Sequence, residues 1–331
     1  MRITILYNAV REDGPADELD VLNQRDSVAK SLSALGYETG FLPLSLDLAG
    51  AAADLKLKNP ALVFNLAESV DKSGRLIYFA PALLEHLQIP FTGSGSEAMF
   101  LTTNKLLTKE RLQLAGLPTP EWLRNSNHKT NETGDKGTLY IVKPVWEDAS
   151  VGIDGQAALC GYDKARQCLR ENAYTTQVCF AEQYIEGREF NLSILAAPSG
   201  PEVLPAAEIE FIDYPADRPM IVDYKAKWET GSFEYTHTVR RLDFPPADRE
   251  LIKEMRMMAL QCWHLFDLHG YARVDFRVDQ QGRPWILEIN ANPCISPDSG
   301  FVAAAEKANL TFDQVIKRII GDVPAVAGRM S

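Results

Sequence analysis

The chain has 331 residues, of which 46% are hydrophobic and 24% charged; this composition excludes a wholly disordered or fibrous protein. Its 34 Lys and Arg residues are outnumbered by 45 Asp and Glu residues, and the net charge of −11 argues against general binding to a nucleic-acid backbone. No apolar run approaches the roughly 18 residues of a membrane span, and the length suggests about two domains.

The first third alternates short apolar runs with helical periodicity. This alternation predicts a parallel sheet covered by helices. A helix that ends before Gly116 and Pro118 then marks a change of character. The predicted strands are 2–7, 38–42, 61–66 and 89–92, and the predicted helices are 17–35, 75–87 and 103–115.

The remaining two thirds combine strands, a weakly periodic segment and helices. Residues 198–238 are rich in Pro, Asp and Tyr, which is typical of a functional loop region. Thr311 and Gln314 form a capping box that begins the last helix, and 322–331 is expected to be a loose tail. The predicted strands are 138–143, 177–184, 189–197, 271–278 and 285–291, and the predicted helices include 163–172 and 246–268.

The last two strands predict a hairpin with a polar face. If residues 280–283 form the loop, Asp275 lies opposite Glu288 and Arg273 lies opposite Asn290, with all four side chains on one face. Two carboxylates and an amide are ligands that suit Mg²⁺, and Arg273 would tolerate the metal if a phosphate or another oxyanion lay between them. The alternative is a solvated polar face with a cross-strand ion pair.

Lysines and glutamates elsewhere in the sequence could bind the parts of a nucleotide. Lys143 ends an apolar strand before a polar loop and Lys105 begins a helix, and both could contact phosphates, although a surface lysine is the alternative for each. The loop 146–152 lacks the Gly-Lys-Ser/Thr ending of a Walker A motif. Glu182 could accept from an adenine amino group and Glu189 from ribose hydroxyls, unless the segment is a charged connection.

These motifs occur in an order that resembles the ATP-grasp superfamily, and specifically the D-alanine–D-alanine ligases and their relatives. The block Glu288-Ile289-Asn290-Ala291-Asn292-Pro293 carries most of this resemblance, with Arg273-Val274-Asp275 before it. The resemblance implies an α/β (α+β) ATP-grasp fold with a parallel-sheet N-terminal domain, a central lid and a mixed-sheet C-terminal domain. The implied domains are 1–102, 103–186 and 187–322, followed by the tail 323–331.

The resemblance also implies a role for individual residues. The reaction would join a carboxylate to an amine through an acylphosphate, with ATP and two Mg²⁺ ions, or Mn²⁺ in their place. The implied catalytic residues are Arg273, Ser150 and Lys227, the last in a mobile loop over 221–236. The implied nucleotide-binding residues are Lys105, Lys143, Glu182, Tyr184, Ile185, Glu189, Lys227 and Asn290. The implied metal ligands are Asp275, Glu288 and Asn290.

The amino-acid half of the site departs from the family pattern. Trp228 and Val222 stand where tyrosines are usual, Ala67 replaces a histidine, Cys294 replaces a glycine, and Gly300 replaces a bulky residue and should leave more room. The family's early glutamate is missing, and Glu12, Glu18 and Glu68 are its unranked stand-ins. The expected substrate residues are Glu12, Glu68, Trp228, Cys294, Asp298, Ser299 and Gly300.

We therefore expect an ATP-dependent ligase with altered amino-acid or peptide substrates. The alternatives are a genuine D-alanine–D-alanine ligase of peptidoglycan synthesis and a non-catalytic nucleotide-binding protein. No nucleic-acid or membrane partner is expected, and a homodimer is compatible with the resemblance. Because the N-terminus lacks a signal-peptide pattern and the five cysteines are scattered, we expect a cytoplasmic protein with reduced thiols.

Overall fold

A computed structural model describes residues 1–11, 13–124, 137–146, 159–171, 178–215 and 218–323. The N-terminal region contains a parallel three-stranded sheet with strand order β2-β1-β3, which confirms the predicted parallel sheet. Its central strand is buried because apolar side chains point to both faces, as in parallel sheets covered by helices. The elements are β1 (Arg2–Asn8), α1 (Ala16–Ala34), β2 (Glu38–Leu44), α2 (Leu48–Lys58) and β3 (Leu62–Asn65).

The connection from this sheet to the next differs from the predicted pattern. The predicted strand 89–92 is wrong, because only Phe91 makes a parallel bridge, to Val63. The predicted helix 75–87 is broken into a 3-10 turn and a shorter helix. A further short helix that was not predicted precedes α5, whose first turn is capped by the Asn104 side chain. These elements are the turn Gly74–Leu76, α3 (Phe79–His86), α4 (Ser96–Thr103) and α5 (Lys105–Leu114).

A small antiparallel sheet follows, with strand order β4-β7-β5-β6. One helix packs on it through Ala165 and Leu169, which join the small core beside Tyr140. The elements are β4 (Trp122–Arg124), β5 (Leu139–Pro144), β6 (Leu159–Gly161), α6 (Tyr162–Glu171) and β7 (Cys179–Gln183).

The largest sheet has strand order β11-β10-β8-β12-β13, and β9 pairs with β8. The weakly periodic segment 198–238 supplies β9, β10 and two single-turn helices, none of which was predicted, because each is too short to show a period. The long helix α9 packs on one face of this sheet through Met255 and Ala259. The elements are β8 (Gly187–Leu195), β9 (Glu202–Val203), β10 (Ala207–Phe211), α7 (Tyr224–Trp228), α8 (Phe233–His237), β11 (Thr238–Arg241), α9 (Arg249–Leu265), β12 (Tyr271–Asp279) and β13 (Pro284–Asn290).

The last two helices, α10 (Gly300–Lys307) and α11 (Phe312–Gly321), return to the first sheet. Ile316 and Ile319 of α11 belong to the same buried core as Ile3 and Ile5 of β1. The Thr311–Gln314 capping box is confirmed. The predicted domain boundaries stay predictions; this core joins residues from both ends of the chain. Within the described ranges, no helix has the length and apolar content that crossing a membrane requires.

Candidate active site

The largest sheet has one apolar and one polar face. Alternate residues of its central strands point to opposite sides, so the apolar set packs under α9 while the polar set faces away from it. The buried apolar set is Phe190, Leu192, Val274, Phe276, Ile286 and Ile289. The polar set is Glu189, Asn191, Arg273, Asp275, Arg277, Glu288 and Asn290.

The hairpin pairing predicted for this face is confirmed: Asp275 lies opposite Glu288, and Arg273 lies opposite Asn290. The predicted loop is wrong by one residue, because Phe276 pairs with Ile286 and the register shifts beside Asp275. A bulge at position 287 absorbs this shift, as β-bulges do when they place one extra residue in a strand. The four polar side chains therefore share a face despite the shorter loop.

Asp275 is the most heavily engaged carboxylate of this face. Arg273 donates to both of its oxygens, at 2.7 Å (Nε–Oδ1) and 2.8 Å (Nη2–Oδ2). The amides of Asn191 and Asn290 donate to the same group, at 2.8 Å and 3.3 Å. Burial raises the pKa of Asp275 and the neighbouring charge of Glu288 adds to this, although Arg273 opposes both.

Glu288 is surrounded by cations. The Lys105 ammonium lies 3.9 Å from its Oε2 atom. Burial by itself would raise the pKa of Glu288, but the charges of Lys105, Lys227 and Lys143 outweigh it and lower the pKa to about 2. Lys227 extends from α7, and its own pKa is lowered, first by burial and then by Arg273. Three predicted phosphate-binding lysines thus act on one carboxylate.

Glu182 lies between two lysines inside the molecule. It forms ion pairs with Lys109 through Oε1 and with Lys143 through Oε2, and its side chain is 2% exposed. Burial would raise the pKa of Glu182, yet the two lysines hold it below its usual range. Both oxygens already accept from lysines, and the adenine contact stays a prediction. Lys109 was not predicted, although its position one helical turn after Lys105 places both on one face of α5.

The predicted ribose residue, Glu189, is paired with an arginine that was also missed. The Nη2 atom of Arg277 lies 3.1 Å from Glu189 Oε2, and its Nη1 atom donates to the Gly187 carbonyl at 2.8 Å. Burial raises the pKa of Glu189. Tyr184 lies under the Arg277 guanidinium, with 5.6 Å from Cζ to the ring centre. Strand alternation from Arg273 and Asp275 would have indicated Arg277.

Ile185, the next residue in the chain, is buried and 7% exposed. Burial raises the pKa of the Tyr184 hydroxyl. Tyr184 thus lies beside the Arg277 guanidinium, and the adenine contact of Ile185 stays a prediction.

The loop after β13 is tied to helix α1 by residues that the sequence did not indicate. Asp20 accepts from the Cys294 thiol at 3.1 Å and from the Ser296 hydroxyl at 2.8 Å. Gln24 donates to Glu68 at 2.8 Å and accepts from the Ile295 amide at 3.0 Å.

This network changes the expectations for the substrate residues. Burial, followed by the charges of Glu68 and Asp20, raises the pKa of the Cys294 thiol well above its usual range. Glu68 thus lies near Cys294. Glu18, in contrast, pairs with Lys72 at 3.2 Å. Both Glu12 and Ser150 lie outside the described residues.

The remaining substrate residues lie at the start of α10 and on α7. Ser299 caps α10 by accepting from the Val302 amide at 3.2 Å, and Asp298 is exposed beside it. The expectation that Gly300 leaves more room than a bulky residue would stays a prediction. A Cβ atom added there would meet the guanidinium of Arg240 at 3.5 Å. The indole Nε1 of Trp228 is buried and has no hydrogen-bond partner among the described residues.

The donor set fits a hard divalent cation next to an anion. No group of three His, Cys, Asp or Glu side chains that could hold a metal was found within the described part of the chain. The predicted set instead combines two carboxylates, Asp275 and Glu288, with the Asn290 amide, and hard cations commonly use few carboxylates plus phosphate oxygens. The cations around this set, Lys105, Lys227 and Arg273, leave it suited to a metal–phosphate complex rather than to a bare metal.

Comparison with known proteins identifies relatives of this chain. Residues 112–321 match the family model described as "D-ala D-ala ligase C-terminus". A D-alanine–D-alanine ligase of Gloeobacter violaceus is 31% identical over 97% of this chain and 98% of its own. An uncharacterized protein of Sinorhizobium fredii is 30% identical over 89% of this chain and 85% of its own.

Solved structures share the fold over the whole chain. The crystal structure of a D-alanine–D-alanine ligase from Bacillus anthracis complexed with ATP has a TM-score of 0.73 at 21% identity. It covers 100% of this chain and 99% of that one. The corresponding enzyme from Coxiella burnetii has a TM-score of 0.71 at 17% identity and covers 100% of this chain and 95% of its own. The predicted fold class is therefore confirmed.

Proposed function

The chain belongs to the D-alanine–D-alanine ligase family of ATP-dependent ligases, and from this premise we propose that it joins a carboxylate to an amine through an acylphosphate. The observation that carries this proposal is the arrangement around Glu288, on which Lys105, Lys143 and Lys227 all act. Such a cluster of ammonium groups beside two carboxylates suits the triphosphate of ATP with a divalent cation.

In the first step, an oxygen of the donor carboxylate attacks the γ-phosphorus of ATP. The bond from that phosphorus to the β–γ bridging oxygen breaks, and ADP leaves with the electron pair. Negative charge spreads over the transferred group, so positioned cations supply most of the catalysis. We assign this task to Lys105, Lys143 and Lys227.

Asp275, Glu288 and Asn290 form the proposed metal site and would hold Mg²⁺. We expect two ions, and Mn²⁺ could replace Mg²⁺. A bound divalent cation neutralises phosphate charge and orients the phosphate oxygens. Arg273 holds Asp275 by two hydrogen bonds in this structure, so its side chain orients that carboxylate and opposes the effect of burial on its pKa.

In the second step, the amine nitrogen of the acceptor attacks the acyl carbon. The bond from that carbon to the phosphate oxygen breaks, inorganic phosphate leaves, and the amine gives up a proton to solvent or phosphate. Negative charge develops on the carbonyl oxygen, and we assign its stabilisation to Arg273, a contribution typically of a few kcal/mol. An acylphosphate hydrolyses readily, so α7, with Lys227 and Trp228, would exclude water from it.

The proposal of altered substrates rests on residues that the sequence analysis singled out. Trp228, Cys294 and Gly300 differ from the pattern expected of the cell-wall enzyme, and the charge of Glu68 acts on the Cys294 thiol. We therefore propose amino-acid or peptide substrates other than a pair of D-alanines.

The test has a donor stage and a product stage. In the donor stage, the chain is incubated with ATP, Mg²⁺ and hydroxylamine plus single amino acids of both enantiomers, and acyl hydroxamates are measured. In the product stage, amino acids are offered in pairs, with phosphate release and mass spectrometry as readouts. We expect a donor-dependent hydroxamate and a mixed product.

Two site variants and one control complete the test. Asp275→Asn and Glu288→Gln should each lower hydroxamate formation by about 100-fold or more, because they remove a metal ligand and its charge. Glu306→Gln changes an exposed glutamate of α10 and should leave the rate unchanged. D-alanyl-D-alanine from D-alanine alone would support the genuine cell-wall enzyme instead. Absence of ATP consumption with every donor would contradict the ligase proposal and favour a non-catalytic nucleotide-binding protein.

A further inference from the structure

Arg240 lies at the edge of the polar face and belongs to none of the motifs that the sequence displays. It is on strand β11, where it pairs with Ile209 of β10, which in turn pairs with Glu189 of β8. Residues paired side by side across strands share a face of the sheet. Arg240 therefore points to the same side as Glu189 and the rest of the polar set.

The guanidinium of Arg240 occupies the space over the first residue of α10. Its Nη2, Nε and Cζ atoms lie 3.5, 3.6 and 3.7 Å from the position of a Cβ atom built on Gly300. These are ordinary van der Waals distances, so the Cβ atom of an alanine would fit at position 300 in contact with the guanidinium. The Arg240 side chain thus reaches the start of this helix.

Arg240 lacks the carboxylate partner that its neighbour has. Arg241 pairs with Glu208 and lies 3.2 Å from Glu210 on the opposite face of the sheet. Arg240 forms no hydrogen bond or ion pair with any residue that the structure describes, and it is exposed. Partial burial, then the like charge of Arg273, lowers the pKa of Arg240, while Asp298 opposes this.

Two cations without a shared anion therefore border the start of α10. Arg273 is already held by Asp275, so its charge is largely balanced. The helix adds the positive end of its dipole, because its first amide groups have no intrahelical acceptors. The charge of Asp298 offsets part of the positive charge of Arg240, and an anionic ligand would neutralise the rest.

We propose that Arg240 binds a negatively charged side chain of the acceptor, so that the acceptor amine belongs to an acidic amino acid or to a peptide that begins with one. This inference rests on the proposed ligase function and specifies its second substrate. An arginine forms two parallel hydrogen bonds with a carboxylate, which discriminates against the neutral amide of the same shape. The acceptor then carries two anionic groups, the second of which contacts Arg240.

The experiment compares acceptors that differ only in charge. With the best donor from the hydroxamate assay, product formation is measured with aspartate against asparagine and glutamate against glutamine, in both enantiomers. We expect kcat/KM for the preferred acid to exceed that for its amide by about 10-fold or more. The same assays are run on Arg240→Gln, Gly300→Leu and Arg249→Gln.

Arg240→Gln should reduce the acid-to-amide ratio to about 1 while leaving hydroxamate formation unchanged, because the donor half does not involve Arg240. Gly300→Leu should lower the ratio too, since leucine displaces the guanidinium. Arg249→Gln removes the same charge from an exposed position on α9, across the sheet, and should keep the wild-type ratio.

Equal use of acids and amides by the unaltered chain would overturn the inference. An equal loss for acid and amide in Arg240→Gln would also overturn it, since Arg240 would then bind the carboxylate that all amino acids share. If the unaltered chain forms no hydroxamate with any donor, the proposed function fails instead. The two failures are therefore distinguishable.

Discussion

Ile286 and Glu288 are two residues apart in strand β13, yet they face opposite sides of the sheet. Ile286 pairs with the buried Phe276, whereas Glu288 pairs with Asp275 on the polar face. Leu287, the residue between them, is the extra residue of a β-bulge. A bulge interrupts the two-residue alternation of a strand, so the side chains on either side of it point to opposite faces. The bulge lets one short strand supply both a core residue and a candidate metal ligand.

This relationship predicts unequal costs for two neighbouring alanine substitutions. Ile286→Ala should lower the free energy of unfolding by about 2–5 kcal/mol, because it empties a fully buried site. Leu287→Ala should cost clearly less, since Leu287 is only half-buried and lies outside the core cluster. Urea denaturation of both variants measures the difference. Equal costs would mean that the two side chains share the core.

The charge cluster of Glu182, Lys109 and Lys143 predicts that Glu182 is needed for stability. Glu182→Gln should lower the free energy of unfolding by about 3–5 kcal/mol, because it leaves Lys109 and Lys143 buried without their counter-ion. Glu250→Gln is the matched control. Glu250 is exposed, and its replacement should change stability by less than about 0.5 kcal/mol. Wild-type stability of Glu182→Gln in denaturant titrations would show that the two lysines are solvated.

Gly187 is predicted to tolerate no side chain. Its φ angle is 149°, and a Cβ atom there would lie 2.0 Å from the Val278 carbonyl oxygen. Gly187→Ala should therefore destabilise the chain by more than about 3 kcal/mol, since backbone must move to relieve the overlap. In contrast, Gly321→Ala places its Cβ with no described atom within 4 Å at the end of α11 and should be neutral or slightly stabilising. Thermal unfolding of both variants tests the contrast.

His269 is predicted to make stability depend on pH. Hydrogen bonding to Asp322, opposed by partial burial, raises the pKa of His269. The protonated ring is therefore favoured in the folded state. Its contribution is fully present below the unfolded pKa of about 6.5 and is lost as the pH rises through the folded pKa. The ring is half-exposed, so we expect less than about 1 kcal/mol.

The measurement is urea denaturation of the wild type and of His269→Gln from about pH 5 to about pH 9. The difference in free energy of unfolding between the wild type and His269→Gln should shrink as the pH rises. His86→Gln, at an exposed histidine of α3, is the control for replacing a surface histidine by glutamine. A stabilising effect of His269 that grows with pH would mean that the neutral ring, and not the protonated one, is favoured in the folded state.

The hairpin shows how much of the candidate site the alternation of residues along a strand can predict. Strand alternation was sufficient to bring Arg273, Asp275, Glu288 and Asn290 together, because those residues are joined by one short loop and their register involves few alternatives. The same alternation could have indicated Arg277. The bulge at Leu287 was not predicted, because strict two-residue alternation assumes an uninterrupted register.

The sequence by itself determined the family, the parallel N-terminal sheet, the hairpin with its polar face and the order of the lysines along the chain. These features depend on residues that are close in sequence or on short motifs whose spacing is characteristic. Only the tertiary structure decided which polar groups meet: Lys109 with Glu182, Asp20 with the Cys294 thiol, and Arg240 with the start of α10. Each of these contacts joins segments far apart in the chain, and electrostatic energy depends on distance in space, which sequence separation does not determine.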